Sequence, residues 1–339
     1  MDKIHFPKDE QKHNFLVEWW YFNGILTDKQ GNTYAFMECL FKVNPQILKT
    51  FRKIFKKDFY FSHSVFSDIP RKRFTSEISP ITLLSEKSFK KPLLFLEYLK
   101  PSLKGFTKIT IQEHRPFSYT LSSRRFHLQL HSQQQPLLEA GTGYVNLNTK
   151  NTYYYSLTNL KAQGKLFLNN KKIPVTGKVW MDHQWSNSAE SLDQWIWFSL
   201  QLDNNTEIVC FEFNDHKKKT FLASMIDPSN TSSHTDTLSF TPLGKPWKSK
   251  TTGTSYPLSW KIKIPAFNAQ LEAKPLLTNQ ELLFANINYW EGPLSITGTI
   301  SGKKVKGQGF LELVGFPRQR SLLQAYLSKL KEATLEKIQ

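Results

Sequence analysis

Cysteine is nearly absent from this 339-residue chain. Cys39 and Cys210 are the only two, which excludes a disulfide framework and a four-thiolate metal site and leaves room for one bridge at most. No run approaches 18 consecutive apolar residues, so the sequence holds no candidate membrane-spanning helix. The opening Met1-Asp2-Lys3-Ile4-His5 lacks the apolar core of a signal peptide. A soluble chain is expected; the compartment stays open, a periplasmic or membrane-peripheral place included should a leader have been removed. There is no His-Glu-x-x-His, Gly-x-Ser-x-Gly, P-loop or dinucleotide-binding glycine pattern. Zinc proteases, serine esterases, nucleotide hydrolases and dehydrogenases therefore lack their minimum parts. No residue pattern calls for a cofactor or a metal.

Acidic residues are also scarce, 28 against 45 Lys and Arg, for a net charge of +17. That balance suits an anionic partner or surface. The basic residues fall in scattered clusters at Arg52-Lys53, Lys56-Lys57, Arg71-Lys72-Arg73 and Lys217-Lys218-Lys219 rather than in one stripe. With no zinc finger, RNP run or helix-turn-helix, nucleic acid is not an expected partner. Weak attraction to an anionic membrane surface is.

What is abundant is aromatic, 14% of the chain, with Thr, Val and Ile in short runs broken by Gly, Asn, Asp and Pro. This composition predicts an all-β protein, long enough for two domains. Three hairpins stand out: Glu18–Leu26 with Thr33–Met37, Gly164–Leu168 with Lys172–Gly177 across Asn169-Asn170, and Trp195–Leu202 with Glu207–Phe213. In the third, Ile196, Phe198, Leu200 and Leu202 share an apolar face, while Trp195, Trp197, Ser199 and Gln201 share a face suited to a ligand cavity. Residues 44–58, with an amphipathic run through Ile47, Phe51 and Phe55, and the polar stretch from Asp227 to Ser255 read as irregular excursions. Leu323, Tyr326, Leu327 and Leu330 lie at helical spacing and predict an amphipathic C-terminal helix that packs on a barrel.

The segment Val179-Trp180-Met181-Asp182-His183-Gln184-Trp185 concentrates chemistry. On a strand, Met181, His183 and Trp185 point one way and Trp180, Asp182 and Gln184 the other. A buried, purely structural Asp182-His183 pair is the competing reading. Glu18, flanked by Trp19, Trp20 and Tyr21, reads as structural, pairing a basic residue or capping backbone amides. His63, between Ser62 and Ser64, either lines a cavity or sits satisfied within a strand.

These segments resemble the carotenoid 1,2-hydratase and AttH-like group of tandem lipocalin-like proteins, which takes in kievitone hydratase and lipocalin-like Diels–Alderases. The likeness is carried by Phe6-Pro7-Lys8-Asp9, His13 and Val17-Glu18-Trp19-Trp20-Tyr21-Phe22-Asn23-Gly24, then by Ser62-His63-Ser64-Val65-Phe66-Ser67-Asp68. It continues through Gly177–Trp185, Tyr289-Trp290-Glu291-Gly292 and Gly307–Leu313, so it spans roughly residues 5–316. It implies two antiparallel β-barrels, over 1–188 and 189–317, with a helical tail over 318–339 and a ligand cavity at or between the barrels. In the hydratase members, residues resembling His183 and Trp185 are implicated in activity, with a Tyr and an Asp downstream. Spacing puts those two near Cys210 and Glu212, where this chain departs from the pattern.

Two functions follow. The first is a cofactor-independent hydratase, lyase or cyclase acting on a lipophilic isoprenoid or polyene; the second is a non-catalytic carrier of a hydrophobic ligand. A hydrolase reading finds no nucleophile beside a base in sequence. Hydrating an alkene means protonating a very weak base, so the acid must stay protonated near neutral pH, as burial makes a carboxyl do. Asp182, His183 and Glu212 are the candidate catalytic groups. Trp185, Trp195, Trp197, His63 and Trp20 are the candidate substrate-binding groups, each indole offering about 0.5–2 kcal/mol to a cation.

Overall fold

The computed structural model describes residues 3–47, 57–102, 105–147, 150–188, 194–215, 218–284 and 287–327. The polar turn after Asp28 folds Val17–Asp28 back on Thr33–Val43 as an antiparallel pair. Asn169 and Asn170 both take positive φ, 50° and 61°, the backbone a two-residue hairpin demands, and they join Asn151–Leu168 to Lys171–Ser186. Lys171–Ser186 then pairs with Val17–Asp28, so the last long strand of the first sheet lies beside its first. Outward from that seam run Thr33–Val43, Phe59–Asp68 and Arg73–Ser79 on one side, and Asn151–Leu168, Phe126–Ser132, Ser118–Ser122, Gly105–Arg115 and Phe95–Ser102 on the other.

The second sheet repeats this logic. Gln194–Leu202 pairs with both Glu207–Asn214 and the last strand, Lys303–Val314. Beyond them lie Lys219–Ile226 and Ser232–Thr235 to one side and Ile287–Ile300, Ala269–Pro275, Ser259–Ile264 and Ser239–Leu243 to the other. The protein is thus almost entirely β, two large curled antiparallel sheets in the manner of tandem lipocalin-like barrels with a short C-terminal helix.

Strand alternation divides the apolar side chains into three cores. Trp20, Phe22, Leu40, Leu157, Met181 and Trp185 fill the first barrel. Phe198, Leu200, Trp260, Trp290 and Leu311 fill the second. A third cluster, with Tyr21, Met37, Tyr154, Trp180, Trp197 and Phe211, sits between them. Cys39 and Cys210 are free and buried.

Two expectations are corrected. The stretch from Asp227 to Ser255 is not one irregular excursion, since Ser232–Thr235 and Ser239–Leu243 extend the two flanks of the second sheet and Trp247–Lys248 pairs with Ser255–Tyr256. Its polar residues occupy exposed edge strands, where no apolar face betrays them. The C-terminal helix begins at residue 322, yet Leu323 and Leu327 are exposed while Ala325 is buried, so the helix touches the body through its small residue. Phe51, Phe55 and Leu330 lie outside the described residues.

Gly177 sits where the seam is tightest: a Cβ there would stand 2.1 Å from the carbonyl oxygen of Ile25. Gly177→Ala must push the first and last strands apart and is expected to destabilise by about 1–3 kcal/mol. An unchanged urea midpoint would contradict that packing.

Candidate active site between the barrels

The seam strands present one face to the first barrel and the other to the second domain. From Val17–Asp28, Trp20 and Phe22 point into the barrel and Tyr21 out of it; from Lys171–Ser186, Met181 and Trp185 point in and Trp180 out. Gln194–Leu202 mirrors them, burying Phe198 and Leu200 in its own barrel and sending Trp197 outward. The outward faces enclose a cavity of about 750 Å³, within the range of small-molecule sites. Phe41, Phe61, Phe211, Phe284, Trp195 and Trp197 form aromatic walls.

Four acidic residues line this apolar space: Glu18, which Lys42 neutralises, and Asp182, Glu291 and Glu312. Asp182 Oδ1 accepts from Ser156 Oγ and from Trp180 Nε1, both at 2.6 Å, and Oδ2 accepts from the Tyr154 hydroxyl at 2.9 Å. Trp197 Nε1 donates to that same hydroxyl at 3.0 Å. Burial outweighs these donors and pushes the Asp182 carboxyl up to about 7. Behind it, burial holds the Glu139 carboxyl well above the usual range. Ser156 Oγ lies 3.0 Å from Glu139 Oε1 as well, so its single O–H is shared between the Asp182 and Glu139 carboxyls.

Glu291 and Glu312 are direct cross-strand neighbours. The Tyr21 hydroxyl donates to Glu291, and Trp195 Nε1 donates to Glu312 Oε1 at 3.1 Å. Burial and the neighbouring Glu312 raise Glu291 well above the carboxylate range; burial brings Glu312 to about 7 despite Trp195. A buried carboxyl and a part-buried one on facing strand positions do not both ionise cheaply, so the pair favours keeping a proton at neutral pH. His63 Nδ1 lies 2.5 Å from the Tyr289 hydroxyl on the same wall.

His183 belongs to a different site on the opposite face. Its Nε2 is 2.9 Å from Glu18 Oε1, which also lies 2.7 Å from His13 Nδ1, while Lys42 Nζ is 2.9 Å from Glu18 Oε2. Glu18 also accepts from the backbone amide of His13, the structural part that its indole neighbours suggested. Burial would raise Glu18, but hydrogen bonds from His13 and His183 and the Lys42 charge bring it down to about 2. Burial lowers His183 to about 4, so the imidazole is neutral and donates to the carboxylate. Trp185 closes the cluster by stacking on His13, ring centroids 3.9 Å apart. His13, Glu18 and His183 bring three ligand-type atoms within 4.8 Å of one another. Lys42 already supplies the cation that this carboxylate needs, so the donor set does not fit a metal.

Of the residues singled out from sequence, Asp182, Trp195, Trp197 and His63 line the cavity. His183 and Trp185 do not: alternation turns them into the first barrel, so the adjacent Asp182 and His183 form no pair. Trp20 is likewise inside that barrel, its Nε1 donating to the Glu10 carbonyl at 3.1 Å. Glu212 shares a face with Cys210, away from Phe211 and Phe213, and is held at the barrel wall by Lys219 at 2.5 Å. Glu291, Glu312, Tyr21, Tyr154 and Tyr289 were missed. The alternation Tyr289-Trp290-Glu291 held a signal, since it sets the tyrosine and the carboxyl on one face and the indole on the other.

Two antiparallel barrels that close on a shared acid-lined cavity define a tandem lipocalin-like protein. Residues 1–316 match the AttH-like family, and the chain belongs to it. It is 24% identical over 225 residues to the dehydratase asqC of Emericella nidulans, covering 62% of each protein. It is 25% identical over 198 residues to kievitone hydratase of Fusarium solani subsp. phaseoli, covering 56% of each. The chain thus spans 56–62% of the length of these curated relatives. Among solved structures, an AttH protein of Nitrosomonas europaea superposes with a TM-score of 0.72 at 23% identity, covering 93% of this chain and 98% of that one. Kievitone hydratase of Nectria haematococca does so with 0.69 at 18%, covering 92% and 93%. CghA with Sch210972 gives 0.55 at 11%, covering 88% of each. All three share the fold.

Glu18 and Lys42 have fully buried side chains, so Glu18→Gln leaves an ammonium without its counter-charge and should cost about 3–5 kcal/mol. Because the folded pKa is depressed, the carboxylate's contribution is complete above about 4.5 and fades as pH falls toward about 2. The glutamine variant should lack that acid-side loss; stability within about 0.5 kcal/mol of wild type would contradict the network.

Proposed function

We propose that this protein is a cofactor-independent hydro-lyase, dehydrating an alcohol or hydrating the corresponding alkene on a lipophilic isoprenoid or polyene held between the barrels. The observation that carries this reading is the Glu291–Glu312 pair, two carboxyl residues placed opposite each other on neighbouring strands inside an aromatic chamber, where burial favours their protonated forms. The hydratase and dehydratase among the relatives support it at the level of reaction class.

In the dehydrating direction the protonated member of the pair gives its proton to the substrate hydroxyl. The C–O electron pair leaves with water, and the indole faces of Trp195 and Trp197 stabilise the developing cation. The ionised partner takes a proton from the adjacent carbon, whose C–H electrons become the double bond. One proton has been given and one received, so the pair is restored. Hydration runs the same steps backward. Asp182, held by Tyr154 and Ser156, is the second acid of the chamber and serves a substrate whose oxygen lies on the first-barrel side. His183 and Trp185 act in this reading by fixing the wall behind it.

A carrier would use the same cavity, but it gives no reason to bury Asp182 and Glu291 there, which burial alone penalises. Glu291→Gln and Glu312→Gln should each lower kcat by about 10²–10⁴ while ligand binding persists. The active form has Glu291 protonated and Glu312 ionised, and Glu312 titrates near 7, so the rate should fall roughly tenfold per pH unit below about 7 and hold above it until Glu291 loses its proton. A wild type that binds isoprenoid alcohols and alkenes but converts none would establish the carrier instead.

A further inference from the structure

The cavity that holds the acids also carries cations. Lys150 and Arg318 both line it. Lys150 is only 8% exposed, with its ammonium 5.5 Å from the centroid of the Phe213 ring, itself part of the wall. Arg318 follows the last strand, and its Nη1 is shielded from solvent with no hydrogen-bond partner among the described residues. A guanidinium N–H taken out of water without an acceptor is costly, and an acceptor on a bound molecule removes that cost.

The balance of charge points the same way. Lys42 also reaches the lining but is neutralised by Glu18. Burial holds the Glu291 carboxyl in its neutral form and leaves Glu312 and Asp182 at most partly ionised, so the cavity lacks the fixed negative charge that its acid count suggests. The net charge of +17 adds a field that draws anions toward it.

We infer that Arg318 forms an anion subsite, and that the substrate is an amphipathic anion with its apolar skeleton on the aromatic walls and a carboxylate or phosphate on the guanidinium. This rests on the cavity being the substrate site, as proposed above, and it names the substrate's class. A planar guanidinium suits either oxyanion through paired N–H donors.

Farnesoic acid, farnesyl phosphate and farnesol share one isoprenoid skeleton and differ in the head group. Titrated into the full chain and followed by tryptophan fluorescence, the anions should bind about tenfold or more tighter than farnesol, the worth of one charge-assisted hydrogen bond. Salt should narrow that margin. Whichever anion binds tighter identifies the head group. Arg318→Gln should weaken the anions about tenfold and leave farnesol unchanged, which also shows that the variant is folded; Arg318→Lys should retain part of the preference. Farnesol binding as tightly as both anions, no binding by any of the three, or variants that weaken all three equally would overturn the inference. Turnover is not read in this experiment, so a protein that dehydrates neutral alcohols without anion preference loses the subsite and keeps the hydro-lyase reading.

Discussion

A β-strand shared by two compartments carries structure on one face and chemistry on the other, and everything in this protein depends on that division. The seam between Val17–Asp28 and Lys171–Ser186 is the clearest case. Its inward face locks the first barrel through Trp20, Trp185 and the Glu18 network, while its outward face supplies Tyr21 and Asp182 to the cavity. The second barrel offers the corresponding seam, Gln194–Leu202 against Lys303–Val314, and contributes Trp195, Trp197 and Glu312. The same topology used twice thus places two outward faces against each other.

That enclosure sets the electrostatics. The carboxyls of Glu18, Asp182 and Glu291 are buried and that of Glu312 partly so, yet they are driven in opposite directions. Glu18 meets Lys42 and two imidazoles and stays ionised. Asp182, Glu291 and Glu312 meet indole N–H groups and hydroxyls but no paired cation among the described residues, and burial decides for the neutral form or holds them near the balance point. One group is a fastener and the others are acids, although the residue types are the same.

Much of this was legible in the sequence. The Asn169-Asn170 turn, the three hairpins and the alternation around Trp180–Trp185 and Trp195–Leu202 are local properties, and periodicity reports them directly. The amphipathic tail misled because helical spacing does not say which side meets the body. Asp182 and His183 misled in a more instructive way. Adjacency in sequence suggests a catalytic pair, whereas on a strand it assigns the two residues to opposite faces. Parity likewise separated Glu212 from Phe211. Glu291 and Glu312 come together only through the register of two strands and the approach of the other barrel, and neither is written in a local pattern.

The central claim is that the cavity holds carboxyls in their protonated form at neutral pH, and infrared spectroscopy reads this directly. Wild-type protein at pH 7 should show the carbonyl stretch of a buried carboxylic acid, weakened in Asp182→Asn and in Glu291→Gln and unaffected by Glu18→Gln. A spectrum at pH 7 in which every side-chain carboxyl absorbs as carboxylate would contradict it.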